Sequence, residues 1–446
     1  METKEANTSK YLREPVSIYS LAGFRVLFGL CMVLSTLRFI GLDWVEDHYL
    51  NSDFHFHYYG FAWVKALAPS IMTLLHYVLI LSSLGVMLGF YYRISAIVQF
   101  VLFTYFELID LTYYLNHYYY VSLVCFLLIF VPANRAFSLD TAWRKLKPYS
   151  HVPRYIPGMF MLLMGIVYTY AGIAKINPEW LFNAQPLRIW LPASYDVPVL
   201  GNFFAWKYSP WLFAWAGMLY DCSIFFLLLN KKTRPWAYAS VILFHSLTGI
   251  LFQIGVFPVV MMAGTLIFFS AEWHLRWMRW VKPNYHVEYA AWQPKVWIKK
   301  PLEWGLAAFF AIQLLFPWRF ILYPGNFHWT ENAYRFGWRV MLVEKAGTAT
   351  FYIKDDQGRE GMVDNRDYLN KHQEKQMSYQ PDMLLQFAHF LGEQAKAKGI
   401  ENPEVRAEVY VTYNGRPSAL FIDSTVNLLA LSDSWKAKDW IKPYPF

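Results

Sequence analysis

Lys175 is the residue whose position most directly suggests chemistry. It follows a long apolar run, one helical turn after the small pair Ala171-Gly172, and it precedes Asn177-Pro178, through which a helix does not readily continue. A lysine at the end of a membrane span commonly keeps its stem in lipid and its ammonium in water. A lysine partly removed from water instead loses its proton more easily and can act as a base. Position alone leaves both interpretations open.

Three other polar residues are candidates to act with this lysine. Asn116-His117 follows the third apolar run, and His245 lies inside the seventh, where it also fits a plain packing role. Polar groups within spans are costly and usually face a cavity or a partner. A neutral lysine can take a proton from a weak acid such as a phenol, and histidine and amide side chains can stabilise the resulting oxyanion. If the four side chains converge, they form such a site in an apolar cavity.

Further ionisable residues lie within apolar runs: Arg25, Glu107, Asp110 and Asp221. For Arg25, an internal ion pair with a span carboxylate is favoured over a role as a substrate clamp. The first long loop contains His48, His55 and His57 near Asp47 and Asp53. Their spacing fits no standard metal site, so a solvated loop is the favoured interpretation.

The composition is that of an integral membrane protein with a soluble portion. Of the 446 residues, 56% are hydrophobic, 20% are aromatic and only 16% are charged, whereas about 25% of an average globular domain is charged. The many aromatic residues suit interfacial belts or a cavity for a flat, apolar ligand. The net charge of +8 comes from loops between apolar runs, which does not indicate nucleic-acid binding. The three cysteines have no zinc-like spacing.

About nine apolar runs are long enough to be spans: 17–40, 71–92, 94–115, 118–134, 156–176, 211–230, 236–255, 257–272 and 302–322. The N-terminal segment, with Lys4, Lys10 and Arg13, and the loops after the second, fourth, sixth and eighth runs are basic. The alternate loops are poor in lysine and arginine. This pattern predicts a cytoplasmic N-terminus, a C-terminus on the other side, and Lys175 at the non-cytoplasmic end of its span.

The composition changes near residue 325. Segments 335–343, 348–354 and 404–412 alternate as strands do, Asp356-Gln-Gly358 and Asn414-Gly415 indicate turns, and 382–398 reads as an amphipathic helix. We therefore predict an α-helical polytopic membrane protein of about nine transmembrane helices, residues 1–324. A C-terminal extramembrane α+β domain rich in β-strands, residues 325–446, follows it.

Several segments carry a resemblance to a known family: 115–120 (LNHYYY), 171–180 (AGIAKINPEW), 244–258 (FHSLTGILFQIGVFP), 338–341 (WRVM) and 380–388 (QPDMLLQFA). The chain resembles vitamin K-dependent γ-glutamyl carboxylase and its bacterial relatives, the HTTM-domain proteins. The order and spacing of these segments agree over nearly the whole chain.

The resemblance implies a role for each matching polar residue in the membrane part. The family lysine that deprotonates vitamin K hydroquinone corresponds to Lys175. The family's Asn-His pair corresponds to Asn116 and His117, and its span histidine corresponds to His245. These three are implied to bind the quinone or to stabilise its oxyanions.

In the soluble part, segment 334–341 corresponds to the region that binds the glutamyl substrate. Tyr334, Arg335 and Trp338 are therefore implied to be substrate-binding residues.

The implied reaction oxidises reduced vitamin K, as phylloquinol or menaquinol, with O2 to the 2,3-epoxide. An oxygenated intermediate removes a γ-proton from a peptide glutamate, and CO2 adds to the carbanion. The scheme requires no metal. Its partners are a glutamate-containing peptide or protein and a quinol dissolved in the bilayer, with no nucleic acid.

Two alternative functions remain beside the carboxylase hypothesis. One is a quinol epoxidase of the same fold that carboxylates nothing. The other is a non-catalytic quinone or lipid carrier, for which Lys175 is dispensable. The animal enzymes continue well beyond the region matched here, so the resemblance does not imply docking of a substrate propeptide. The compact chain resembles the bacterial members, which implies a bacterial inner membrane and a periplasmic C-terminal domain (luminal in a eukaryote).

Overall fold

The computed structural model describes residues 10–252 and 254–446. Lys4, which contributed to the predicted charge pattern, and Gln253, within one family-like segment, lie outside these residues. Within these residues, the membrane part contains ten longer helices: α1 (Tyr19–Gly41), α2 (Pro69–Leu88), α3 (Tyr92–Ile109), α4 (Asn116–Phe130), α5 (Tyr155–Ala174), α6 (Ser209–Leu229), α7 (Arg234–Leu251), α8 (Phe257–Thr265), α9 (Ala271–Val281) and α10 (Val296–Leu315). Short helices connect them or follow them: Trp44–Tyr49, Leu139–Ala142, Pro178–Leu181, Leu187–Ala193, Gly201–Phe204 and Phe327–Thr330.

Each of the nine predicted runs is helical over most of its described residues, which confirms a polytopic membrane protein, but the number of clear spans is lower than nine. Among the described residues, six helices are long and apolar enough to cross a membrane, or seven if α8 and α9 form one span bent by 112°. The helix α4 has 15 residues, which rise about 22 Å at 1.5 Å per residue, less than the hydrocarbon core of about 30 Å. The length of an apolar run in the sequence does not reveal that the helix within it is shorter than the run or bent.

The segments next to the basic loops lie together at one end of the helix bundle. The strand β1 (Pro15–Ser17) pairs antiparallel with β2 (His151–Pro153), and His151 also bridges to Ala291. At the same end, Arg13 Nη2 lies 3.0 Å from Glu303 Oε2 at the start of α10. The starts of α1, α5 and α10 therefore lie together, at the end remote from the C-terminal domain.

Among the described residues, Arg25 does not form the expected ion pair. It is fully buried, and its guanidinium donates to the carbonyl oxygens of Val86 at 3.1 Å and Phe137 at 2.5 Å. The planar, multi-donor guanidinium can be satisfied by backbone carbonyls that end helices and turns. The prediction of a span carboxylate as its partner is wrong.

The C-terminal domain is an antiparallel sheet with helices on one face. The sheet order is β4-β3-β5-β6, formed by β3 (Lys345–Lys354), β4 (Glu360–Met362), β5 (Glu404–Tyr413) and β6 (Ala419–Leu420). The helices are α11 (Lys371–Met377) and α12 (Pro381–Ala397). Alternate residues of β5 are buried against Leu384, Leu385, Ala388 and Leu391 of α12. The alternation of apolar residues in the strand and their helical spacing in α12 predict these buried faces.

The predicted strand at 335–343 is not formed. Residues 331–343 are irregular, and Phe336, Trp338 and Met341 have φ values of 58°, 56° and 55°, in the left-handed region. Trp338 is fully buried and stacks on Tyr119 of α4, with ring centroids 5.0 Å apart. The apolar residues of this segment pack on the bundle instead of joining the sheet.

The histidines of the first long loop lie in a part of it that is packed rather than fully solvated. Phe56 is fully buried in the core of the C-terminal domain, and the ring of His48 stacks on Tyr113 at 3.8 Å. His55 Nδ1 lies 3.1 Å from Asp110 Oδ2, at the end of α3. The loop therefore ties the bundle to the C-terminal domain. Within the described residues, no three metal-ligating side chains come together.

Candidate functional site

Lys175 is the cap residue that ends α5. Its backbone N–H donates to Gly172 O at 3.0 Å, and the chain then turns, because Asn177 Oδ1 accepts from Trp180 N and starts the next short helix. Only 6% of Lys175 is exposed. The side chain therefore does not extend into water as an interface lysine does.

The amine of Lys175 is paired with a carboxylate from the neighbouring helix. Lys175 Nζ donates to Asp221 Oδ2 at 2.7 Å and to Ala171 O at 3.3 Å. The approach of α5 to α6 is close, since a Cβ on Gly172 would lie 2.6 Å from Cys222 Sγ and 2.7 Å from its backbone nitrogen. The small residue lets the two helices meet, and the Asp221 carboxyl thereby reaches the lysine.

This pair faces an apolar cavity of about 130 Å³. The walls come from α5, α6, α7, the start of α8 and the segments that follow α5 and α7. They are mostly aromatic and aliphatic: Tyr168, Ala171, Trp180, Trp190, Phe213, Gly217, Phe244, Leu251, Phe252 and Phe257. Val340 and Met341 of the C-terminal domain close one side. An ionisable pair is thus placed on the wall of an otherwise apolar cavity.

His245 lies on the wall of the same cavity. Its Nε2 shares a hydrogen bond of 2.8 Å with the hydroxyl of Tyr168, whereas its Nδ1 is buried with no partner among the described residues. Buried polar atoms normally have a partner, and an orphaned one in a cavity points to a bound group. Lys175 and His245, both predicted from the sequence, are therefore brought together.

His117 lies in a different cavity. It lines a larger, more polar space of about 1000 Å³ between the bundle and the C-terminal domain. The ring of Phe257 lies 4.9 Å from His117 and 5.6 Å from His245, between the two. Ile254 lines both spaces. The two cavities are therefore neighbours, separated by Phe257.

Asn116 lines neither of these cavities. Its Nδ2 donates to Arg339 O at 2.9 Å, and its Oδ1 accepts from the hydroxyl of Tyr114 at 3.0 Å. The hydroxyl of Tyr114 accepts in turn from Phe336 N at 2.7 Å. The amide of Asn116 thus holds the irregular segment of the C-terminal domain to the start of α4.

The polar cavity contains a second buried ion pair. Lys345 Nζ lies 2.5 Å from Glu331 Oε1 and donates to Trp329 O at 2.9 Å. Burial lowers the pKa of Lys345 and raises that of Glu331, and their mutual attraction only partly offsets either effect. Burial, helped by the nearby positive charges, lowers the pKa of His328 to about 3. Two exposed cations, Lys371 and Lys375, lie on α11 at the rim.

The three residues expected to bind substrate differ in their surroundings. Tyr334 and Arg335 line the polar cavity, but Trp338 lines neither cavity and serves as a packing anchor. Arg335 is occupied, because its guanidinium contacts the Asp382 carboxylate at 2.5 and 3.3 Å and also donates to Gln380. Burial acts to raise the pKa of Asp382, but the charge and hydrogen bonds of Arg335 outweigh it, and the pKa is lowered.

Asp221 is the residue of this site that sequence reasoning missed as a partner of Lys175. The available signal was a carboxylate inside an apolar run, which is costly without a partner. The sequence of the run does not reveal which of the several cationic side chains pairs with the Asp221 carboxylate.

Two family models match the chain. Residues 13–273, more than half of the chain, match the HTTM domain. Residues 298–445 match the lumenal domain of vitamin K-dependent gamma-carboxylase, beginning within α10 and covering the C-terminal domain. No solved structure matches.

Proposed function

The chain belongs to the HTTM-domain family of vitamin K-dependent gamma-carboxylases, and on that premise we propose that it couples oxidation of a reduced vitamin K to carboxylation of peptide glutamate. One observation carries the proposal: a buried lysine amine on the wall of an apolar cavity, next to a polar cavity large enough for a peptide. The first cavity suits a membrane-soluble ring, and the second suits a charged substrate.

The residues of the apolar cavity fit a quinol. Its flat ring suits the aromatic walls that include Trp180 and Trp190, and one of its oxygens suits the unpartnered Nδ1 of His245. When bound, the quinol supplies, through its oxidation by O2 to the epoxide, the strong base needed to take a γ-proton from glutamate. The resident side chains bind and orient the ring and exclude water from it.

Lys175 is proposed as the general base. Its Nζ accepts a hydroxyl proton at the cavity wall, where 6% exposure limits contact with water. His245 is proposed to hydrogen-bond an oxygen of the ring through Nδ1, while Tyr168 holds Nε2 and sets the orientation of the imidazole. Preorganised donors of this kind stabilise developing negative charge.

The glutamyl peptide is proposed to enter the polar cavity. His117 lies on its wall beside Phe257, which places a histidine near the boundary with the apolar cavity. Tyr334 is proposed to touch the peptide. Asn116, Arg335 and Trp338 are proposed to act indirectly, by holding the segment that carries Tyr334.

The separation of the two cavities leaves one alternative within the same family. Quinol epoxidation needs only the apolar cavity, so a protein of this geometry can carry it out without carboxylating glutamate. The experiment must therefore measure both products.

The test uses purified protein in lipid nanodiscs with reduced vitamin K, O2, labelled bicarbonate and a short glutamate peptide. We expect epoxide and labelled peptide from the wild type and from Lys396→Ala, an exposed residue on α12. Lys175→Ala should lose at least about 100-fold in both products, as loss of a general base does. Epoxide without labelled peptide favours the alternative, and label formed without added quinol overturns the shared mechanism.

A further inference from the structure

Asp221 is buried beside the proposed base and on the wall of the same cavity. It is 4% exposed, and its Oδ2 lies 2.7 Å from Lys175 Nζ. The contact joins two helices that approach each other closely at Gly172, so the packing of the helices brings the carboxyl next to the amine. A carboxylate in this position changes what the lysine can do, because the two groups share a proton.

The setting favours a pair that carries no net charge. Two buried charges without water are costly, and buried groups tend to become neutral when a proton can be redistributed. Moving one proton from the ammonium to the carboxylate gives an amine hydrogen-bonded to a carboxylic acid. The pair then holds the same exchangeable proton on the carboxyl of Asp221. With its two N–H groups donating to Asp221 Oδ2 and Ala171 O, the amine nitrogen keeps its electron pair free.

We propose that Asp221 is a positioning residue that stores the proton of Lys175, so that the amine is able to accept another from a hydroxyl group in the cavity. This inference rests on the proposed function. In the step, the hydroxyl O–H bond breaks, an N–H bond forms at Lys175 Nζ, and the negative charge stays on the donor oxygen. The products are an ammonium beside a carboxylic acid, facing that oxygen, so protons and charge balance.

Other ionisable groups surround the pair. Tyr168 on α5, Tyr220 and Cys222 on α6, and His245 on α7 are the neighbouring titratable side chains. Among the described residues, Asp221 is the carboxylate in contact with Lys175, which also lies 5.3 Å from the ring of Trp180.

The first measurement needs no catalysis and no variant. A small, neutral, membrane-soluble anhydride acylates only free amines, and mass spectrometry reports the rate at each lysine. We expect the rate at Lys175 to be nearly constant from pH 6 to 8, because the pair exchanges a proton internally. The exposed Lys396 is the reference, because acylation of a solvated amine becomes about tenfold faster per pH unit in the same range. A Lys175 rate that rises in parallel with that of Lys396 overturns the proposal.

The second measurement uses Asp221→Asn, which keeps the size and an accepting oxygen but cannot store the proton. Acylation of Lys175 and quinol turnover should both become strongly pH-dependent, rising about tenfold per unit below the ionisation of the lone amine. Asp221→Glu should restore the flat profile. An Asp221→Asn protein with the wild-type profile, or one faster than wild type at every pH, overturns the proposal.

Failure of this inference is distinguishable from failure of the proposed function. If the wild type forms neither epoxide nor carboxylated peptide while acylation still shows the flat profile, the stored proton stands and the proposed function fails. If both products form but the acylation rate of Lys175 rises with pH in parallel with that of Lys396, the proposed function stands and the stored proton is wrong.

Discussion

Lys175 Nζ and Asp221 Oδ2 lie 2.7 Å apart, and both side chains are less than a tenth exposed. Removing one partner of such a pair leaves the other polar group buried without its hydrogen-bond partner, whereas replacing both by apolar groups leaves no such group. Stability and activity at this position should therefore respond differently to single and double substitutions.

Lys175→Met and Asp221→Leu should each lower the free energy of unfolding by about 1–3 kcal/mol, because each leaves its partner buried without a hydrogen-bond partner. The double variant should recover most of that loss but form no product, since the base is still missing. Thermal unfolding in detergent and epoxide formation are the two measurements. A double variant that is as unstable as the singles would show that the pair is not the cause.

His245 should contribute to binding of the ring. Replacing it by phenylalanine removes the unpartnered Nδ1, and loss of one hydrogen bond weakens binding by roughly 1–3 kcal/mol. Quenching of Trp180 and Trp190 fluorescence by an oxidised quinone measures the affinity, because both indoles line the cavity. His286→Phe, at an exposed position, is the control and should bind as the wild type does. Equal affinity for the two variants would contradict the role given to His245.

Much of the fold follows from local patterns. The nine apolar runs are helical, and Asn414-Gly415 turns between β5 and β6 with φ values of 51° and 72°, as its residue types predict. The helix α12 buries the face predicted from its periodicity. These features depend on residues close in sequence, so a single chain is enough to predict them.

The missed features depend on distant contacts. The alternation at 335–343 resembles a strand, but those apolar residues pack on α4, as Trp338 does on Tyr119. Likewise, Asp221 was recognisable as a costly span carboxylate, yet its partner is 46 positions away in sequence. Phe257 lies between His117 and His245 and separates their cavities. The spacing of residues in the sequence does not predict this position of Phe257.

The orientation in the membrane can be tested with single cysteines. We expect the C-terminal domain to lie on the periplasmic side and the basic loops on the cytoplasmic side. The exposed positions Ser432 and Lys147 report on the two ends of the bundle. In intact cells, a membrane-impermeant maleimide should label Ser432→Cys and spare Lys147→Cys. The reverse labelling pattern would invert the proposed topology, and a variant lacking Cys31, Cys125 and Cys222 supplies the background.

Arg335 and Asp382 should stabilise the C-terminal domain in a pH-dependent way. The pKa of Asp382 is lowered because Arg335 outweighs the effect of burial, so the contribution is complete above the ordinary carboxyl pKa of about 4 and is lost as the pH falls through the lowered value. Asp382→Asn should therefore cost about 1–3 kcal/mol of unfolding free energy at pH 7 and flatten the loss of stability on acidification.

The control for that prediction is Asp367→Asn, at an exposed position with no ion pair among the described residues, which should keep the wild-type acid dependence. Thermal unfolding of the full chain between pH 7 and pH 3 is the measurement.

Because Arg335 is already paired with Asp382, Asp382→Asn also tests the role of Arg335 in substrate binding. If Arg335 only holds Tyr334 in place, Asp382→Asn raises the KM for the peptide, since the segment loosens. If Arg335 binds the substrate carboxylate itself, freeing it from Asp382 lowers that KM, and the positioning role proposed for Arg335 is wrong.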